Sequence, residues 1–304
     1  MDKDVIGHNT AGYWLVFLAA CLWGTNGTAQ ALAPAEAQPL VIGTLRILVG
    51  GLALLTVALL RGAFKDGKRW PIWPTLVAAL CMAAYQLFFF AGVARTGVAV
   101  GTIIGIGSSP ILGGLVGFLV RGERPGRRWA YATALGILGC ILLIAVGADI
   151  QLDLLGIFLA VCAGLAYAIF TTASKGLLET HPPDAVMAVA FCLGAVFVLP
   201  TLFVNNLNWV VQPRAILVVL HLGLLSVGLS YFLFSRGLRL VPVATAATLT
   251  LGEPLTAGLL GFLVLREPIT LPAALGVAMI FAGLVVLSSF NAKTPSSQGA
   301  KENQ

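Results

Sequence analysis

Ten mostly apolar runs fill this chain almost end to end, at roughly 13–33, 38–60, 72–94, 98–120, 129–148, 154–174, 185–204, 213–235, 242–265 and 271–290. A helix of about 20 such residues crosses the hydrocarbon core of a bilayer. In lipid the backbone N–H and C=O groups find no water, so a spanning segment must pair them within itself or within a closed barrel. Runs of this length read as transmembrane helices. Composition agrees, at 59% hydrophobic and 10% charged, where soluble domains carry roughly 25% charged residues. The fold class expected is therefore all-α integral membrane, with ten transmembrane helices and no soluble domain left to place. The first run lacks a small-residue cleavage site and further helices follow at once, so it reads as a span and not as a cleaved leader. Cys21, Cys81, Cys140, Cys162 and Cys192 all fall inside apolar runs, where cysteine behaves as a small hydrophobe. No disulfide framework and no metal spacing is read from them.

The ten runs are not independent. Residues 110–123, PILGGLVGFLVRGE, return 144 residues later as PLTAGLLGFLVLRE at 254–267. Shared Leu, Val and Gly follow from apolar bias, but the shared Pro110/Pro254 and Glu123/Glu267 in one register do not. Self-similarity at about half the chain length implies two homologous halves, 13–148 and 154–290, each of five helices. An odd number of spans per half inserts the second half upside down, giving two inverted five-helix repeats. Such a duplication is a frequent transporter architecture.

Basic residues set the orientation. With alternate connections on opposite sides, one side collects Lys3, Arg61, Lys65, Lys68, Arg69, Arg121, Arg124, Arg127, Arg128, Lys175, Arg236, Arg239, Lys293 and Lys301, which is 14 of 18. The other holds Arg95, Arg214 and Arg266, and Arg46 lies within a helix. The positive-inside rule makes the richer side cytoplasmic. Both termini are then cytoplasmic, with 1–12 an N-terminal tail and 291–304 a disordered tail. The net charge of +6 follows from topology, and no nucleic-acid partner is expected, because the basic residues are scattered over loops instead of forming one face.

The residues AACLWGTNGTAQ (19–30), TLRILVGGLALL (44–55), LGEPLTAGLLGFLVLREPIT (251–270) and LGVAMIFAGLVVL (275–287) resemble the drug/metabolite transporter superfamily in its EamA-like ten-helix branch. The resemblance covers nearly the whole chain. It implies a basket of helices around a central cavity, with helices five and ten peripheral and available for a homodimer contact, in a bacterial inner membrane. It implies no single substrate, since members carry amino acids, carboxylates, amines, nucleosides and drugs. One departure stands out: Ser109 precedes Pro110 where Glu253 precedes Pro254.

Candidate site residues are the polar and aromatic side chains of otherwise apolar helices. Glu253, halfway along the ninth helix with no cation at helical spacing, is expensive in its charged form at that depth. It can exchange a proton, meet a substrate amine, or serve structure alone through a hydrogen bond to a neighbouring helix. Arg46 can snorkel to the outer interface, bind an anionic group or pair with an acid. His221 is a second proton-coupling candidate, or a histidine held by a neighbouring hydroxyl or carbonyl. Asn26 and Gln86 cost several kcal/mol if left unpaired in hydrocarbon, so both should face the bundle interior. Trp23, Tyr85, Ser109, Tyr167, Tyr231 and Thr250 complete the substrate-binding set, the aromatics as apolar walls or a cation–π seat. Other aromatics, Tyr13, Trp14, Trp70, Trp73, Trp129 and Trp209, suit an interfacial belt. Pro110 and Pro254 each remove a backbone hydrogen bond and mark local breaks. Gly97, Gly101, Gly105, Ser109, Gly113 and Gly117 make a ridge of small residues on which helices can approach closely.

Nucleophile-elbow, HExxH, phosphate-loop and acidic metal-cluster signatures are missing, so no catalytic residue, cofactor or metal is expected and ATP hydrolysis is excluded as a power source. The function expected is a secondary transporter, an exporter of small polar or amphipathic metabolites such as amino acids, working by alternating access around a midplane cavity. The alternative is a drug or organic-cation transporter, proton-coupled through Glu253. A non-transporting membrane scaffold or a membrane enzyme is the remote alternative. Substrate and membrane lipid are the expected partners.

Overall fold

A computed structural model describes residues 3–65, 67–145, 153–266 and 270–288. Among these residues the chain is all-helical, with no strand. The helices are α1 (Lys3–Ala31), α2 (Pro39–Leu60), α3 (Ile72–Arg121), α4 (Arg127–Ala145), α5 (Leu154–Leu178), α6 (Pro183–Val198), α7 (Pro213–Leu220), α8 (Ser230–Leu240), α9 (Val243–Leu249), α10 (Gly252–Leu263) and α11 (Leu271–Ser288). A π-helical stretch, His221–Leu229, joins α7 to α8. Eight segments are long and apolar enough to cross a membrane: Pro39–Leu60, Ile72–Gly97, Val100–Arg121, Leu154–Leu178, Pro183–Leu202, Pro213–Leu240, Val243–Leu263 and Leu271–Ser288. α1 and α4 are also helical and pack among them, α4 opening on Arg127 and Arg128.

Three differences from the sequence reading have physical causes. α1 starts at Lys3, so the described part of the 1–12 tail is helical. Extending a formed helix gains one hydrogen bond for each residue fixed. The third and fourth runs form one continuous path, α3, whose bend is Gly97 at φ 81° and ψ 162°, a conformation essentially reserved for glycine. The interruption expected at Pro110 is absent, since α3 continues through it. Ser108 and Ser109 hydroxyls donate to the Gly105 carbonyl at 3.3 and 2.8 Å, adding polar partners beside the proline. Its counterpart behaves otherwise. α9 ends and α10 begins across Thr250 and Leu251, and Thr250 is the residue four before Pro254, where the proline ring clashes with a helical carbonyl. Glu267 and the 291–304 tail lie outside the described residues.

Packing between the two halves is reciprocal. α1, which opens the first half, lies along α8 and α10: Gly12 meets Leu240, Val16 meets Gly237, and Gly24 meets Thr256 and the Glu253 carbonyl. α5, which opens the second, lies along both arms of α3: Gly156 meets Thr96, and Gly164 meets Ser108 and Leu112. Helices holding the same place in each half also meet, α2 on α6 through Gly51 and Phe191, and α4 on α11 through Gly139 and Gly276. A Cβ on Gly139 would lie 2.6 Å from the Gly276 carbonyl oxygen. Glycine is required there by proximity of backbones, the way helices associate where lipid supplies no hydrophobic drive. The small-residue ridge of α3 is divided among neighbours, Gly113 and Gly117 lying against Ala247 and Val243 of α9 while the Gly105 carbonyl faces Gly164 of α5.

Of the aromatics assigned to an interfacial belt, Trp14 and Trp73 are exposed. Trp209 is buried, and the Trp129 indole donates to the Ala244 carbonyl at 3.0 Å. The last two therefore serve packing between elements.

Candidate functional site

The α9–α10 interruption and the π-helical stretch meet at one pocket within the bundle, a cavity of ≈ 40 Å³. Its lining takes Trp23 and Asn26 from α1, Arg46 and Ile47 from α2, Met82, Tyr85, Gln86, Ile106 and Ser109 from α3, Tyr167 from α5, Phe191 from α6, Ser226 and Val227 from the π-helical stretch, Tyr231 from α8, Thr250 between α9 and α10, and Glu253 from α10. Trp23, Asn26, Tyr85, Gln86, Ser109, Tyr167, Tyr231, Thr250 and Glu253 are thus brought together at one place.

One wall is aromatic. Phe191 and Tyr231 have ring centroids 4.3 Å apart, Trp23 and Tyr231 4.9 Å, Trp23 and Phe234 5.3 Å, and Tyr85 and Tyr167 5.7 Å. Phe170 lies behind Tyr231 and Phe191 at 6.0 and 6.1 Å. These tilted and edge-on pairs add to the area they bury, so the layer is a rigid block holding α1, α5, α6 and α8 together.

The opposite chemistry is polar. The Arg46 guanidinium donates through Nη2 to Gln86 Oε1 at 2.7 Å, and Gln86 Nε2 donates to the Gly43 carbonyl at 3.2 Å. Arg46 therefore does not snorkel to an interface; Gln86, 2% exposed, turns it inward. The Ser226 hydroxyl donates to Asn26 Oδ1. Glu253 faces the same space, and among the described residues no cation lies within 4.0 Å of its carboxylate. His221 stands apart from the lining, its Nε2 2.9 Å from the Thr25 hydroxyl. Arg46, weighed for an anionic group, also lines the pocket, and the lining residues that the sequence did not single out are Ile47, Met82, Ile106, Phe191 and Val227.

At the end of the bundle richest in Lys and Arg, two ion clusters tie helices of both halves together. Glu123 lies 3.5 Å from both Arg121 and Lys175, and its other oxygen accepts the Val243 amide at 2.8 Å. Arg121 also pairs with Glu179. Asp184 pairs with Arg61 at 3.3 Å and Arg236 at 2.8 Å, and the Arg236 guanidinium rests 3.6 Å from the Phe232 ring centroid. At the other end the described residues offer a looser tie, Arg95 to Asp153 at 3.9 Å.

The EamA-like transporter family matches the chain twice, over residues 10–145 and 154–289. The chain belongs to this family. The two matches meet the two halves read from the 110–123 and 254–267 echo. Among family relatives, an uncharacterized transporter of Bacillus subtilis strain 168, YwfM, is 41% identical over 286 residues, covering 94% of this chain and 96% of its own. An uncharacterized inner membrane transporter of Salmonella typhimurium, YicL, is 23% identical over 93% of this chain and 97% of its own. A solved crystal structure shares the fold at TM-score 0.80, 21% identity, 92% of this chain and 97% of the other. Family membership and the eight apolar spans make the chain an integral, multi-pass membrane protein and a transporter, not an enzyme.

Proposed function

We propose that this EamA-like protein is a secondary transporter that exports small polar or amphipathic metabolites, such as amino acids, by alternating access around a midplane cavity. The observation that carries the reading is the composition of that cavity, to which both family repeats contribute in near-equal measure. A site shared between two halves changes its exposure when one half rocks against the other. Reciprocal packing of α1 on α8 and α10 and of α5 on α3 supports a two-fold relation between the halves. With ten spans, five in each half, that relation inverts the repeat. α1 and α4 are counted as the two further spans.

The positive-inside rule assigns the Lys- and Arg-rich end to the cytoplasm, with both termini there and the bacterial inner membrane as the location. The Glu123 and Asp184 clusters then hold the cytoplasmic side closed, with the aromatic block above them. α4 and α11 lie at the margin, where Leu138 and Phe281 point outward to lipid or to a second copy.

An organic cation is the second reading, favoured by Glu253 beside an aromatic wall, with proton exchange through Glu253 and His221 as its companion. Solute flux into liposomes holding the purified protein tests the proposal across a broad metabolite panel. Saturable, protein-dependent movement of at least one solute is expected, and none across the panel would refute transport through this cavity. Glu253→Gln that keeps exchange but loses its response to a pH gradient supports proton coupling, and wild-type behaviour excludes any role for the carboxylate.

A further inference from the structure

A second cavity, a groove of ≈ 450 Å³, opens at the basic end of the bundle and shares no residue with the central pocket. Each arm of α3 gives it one wall, Pro71 and Pro74 where the helix starts and Val120 and Arg121 where it ends, and α5 gives the floor from Thr172 to Glu179. The interior is apolar, since the Thr172 hydroxyl is spent on the Ala168 carbonyl at 2.8 Å and proline has no N–H to offer. At Gly176 the floor is open: a Cβ there would meet only Arg121 Nη1, at 3.7 Å. Beside the groove Ile72, Trp73, Leu119 and Val120 are exposed, which in a spanning protein is a surface that faces acyl chains. The rim is basic. Lys68 donates to the Thr180 carbonyl at 3.1 Å, one residue beyond Glu179, and keeps further donors free because an ammonium has three. Arg69 is exposed two residues before Pro71. Arg121, Lys175, Glu123 and Glu179 compensate one another in their ion cluster, which leaves Lys68 and Arg69 in excess. Asp66, outside the described residues, is the one acid of the α2–α3 connection, against Lys65, Lys68 and Arg69, while Arg61 goes to Asp184.

We infer that this groove is a binding site for an anionic phospholipid: Lys68 and Arg69 hold its phosphate, and an acyl chain lies between the two arms of α3 on the α5 floor. Basic pockets between spanning helices on the cytoplasmic side take acidic headgroups. Apolar walls under a basic rim select a lipid. A soluble anion would leave the walls against water, and a lipid without net charge would leave Lys68 and Arg69 uncompensated. A lipid seated there touches α5 and both arms of α3, elements that the Glu123 cluster also ties together, so it braces that end of the bundle. The site lies apart from the central pocket and does not depend on which solute is carried.

Thermal unfolding of the purified, delipidated protein in a mild detergent tests the site. Dioleoylphosphatidylglycerol is compared with dioleoylphosphatidylcholine, which has the same chains without net charge, and with glycerol 3-phosphate, which has the phosphate without a chain. Phosphatidylglycerol is expected to raise the Tm saturably by several degrees, since a ligand of the folded state stabilises it. Phosphatidylcholine should give less than half that shift, and glycerol 3-phosphate none. Lys68→Gln with Arg69→Gln should reduce the phosphatidylglycerol shift to that of phosphatidylcholine, and Gly176→Leu, which fills the floor, should reduce it as well. Arg127→Gln with Arg239→Gln removes two exposed cations that do not line the groove and should keep the preference. If Gly176→Leu fails to fold, the two charge pairs decide. Equal shifts from both lipids overturn the site, as does a preference that survives the loss of Lys68 and Arg69, or one that disappears equally with Arg127 and Arg239. A shift from glycerol 3-phosphate equal to that from phosphatidylglycerol shows an anion site that needs no chain, and overturns the lipid too.

Discussion

A single amide, Gln86, carries much of the geometry at the residue scale. It joins α3 to α2 by accepting from Arg46 and donating to the Gly43 carbonyl, and it is buried. Leaving such partners unpaired costs about 1–3 kcal/mol. Gln86→Leu is therefore expected to lower the Tm of the purified protein by several degrees; an unchanged Tm would mean that the Gly43 and Arg46 contacts are not made. The sequence already sent Gln86 and Asn26 inward, because unpaired amides are costly in hydrocarbon wherever the helix turns. Arg46 was ambiguous for an equally physical reason, since a long side chain near a boundary can reach either water or the interior and only its partner decides. Phe191 and Met82 gave no signal at all. In a spanning helix apolar residues surround the axis, so facing lipid and facing a cavity look alike.

At the scale of the elements, two conformational irregularities shape the cavity, and both can be tested. Gly97 sits at φ 81°, and a Cβ there would meet nothing within 4 Å, so any penalty for Gly97→Ala is conformational and not steric. That penalty is expected to be roughly 1–3 kcal/mol, read as a lower Tm; an unaffected Tm would show that the α3 bend does not need glycine. Pro254→Ala removes the ring that opposes continuation from α9 into α10. It should leave stability equal or higher while cutting solute flux by roughly tenfold, because a continuous helix re-aims Thr250 and Glu253. Flux at the wild-type level would show that the interruption is packing detail. Apart from the start of α1, which lies ten residues before the expected run, sequence periodicity placed helix ends within about five residues, and proline chemistry explained the α9–α10 interruption. It missed the continuity through Pro110, which rests on the tertiary embedding of α3, and it missed the π-helical stretch, for which His221–Leu229 carries no distinguishing residue pattern.

For the whole molecule, the proposed mechanism makes closure at the basic end depend on charges drawn from both halves. Isolated surface pairs contribute only about 0–1 kcal/mol, but Glu123 combines two ion pairs with a backbone cap on α9, and so couples α3, α5 and α9. Glu123→Ala should shift the population toward a state open at that end. Ser174, fully buried in α5, reports on it: in a background without the five native cysteines, Ser174→Cys is expected to react several-fold faster with a water-soluble maleimide when Glu123→Ala is added. An unchanged rate would remove the Glu123 cluster from the gate.

The central claim, one cavity reached alternately from two sides, is tested most directly at Ser109, which is buried and lines that cavity. In the same cysteine-free background, Ser109→Cys is labelled with a membrane-impermeant maleimide in right-side-out and in inside-out vesicles. Alternating access predicts labelling from both sides, slowed in each case by a transported solute. Labelling from one side alone, unaffected by any solute that the protein moves, would contradict it.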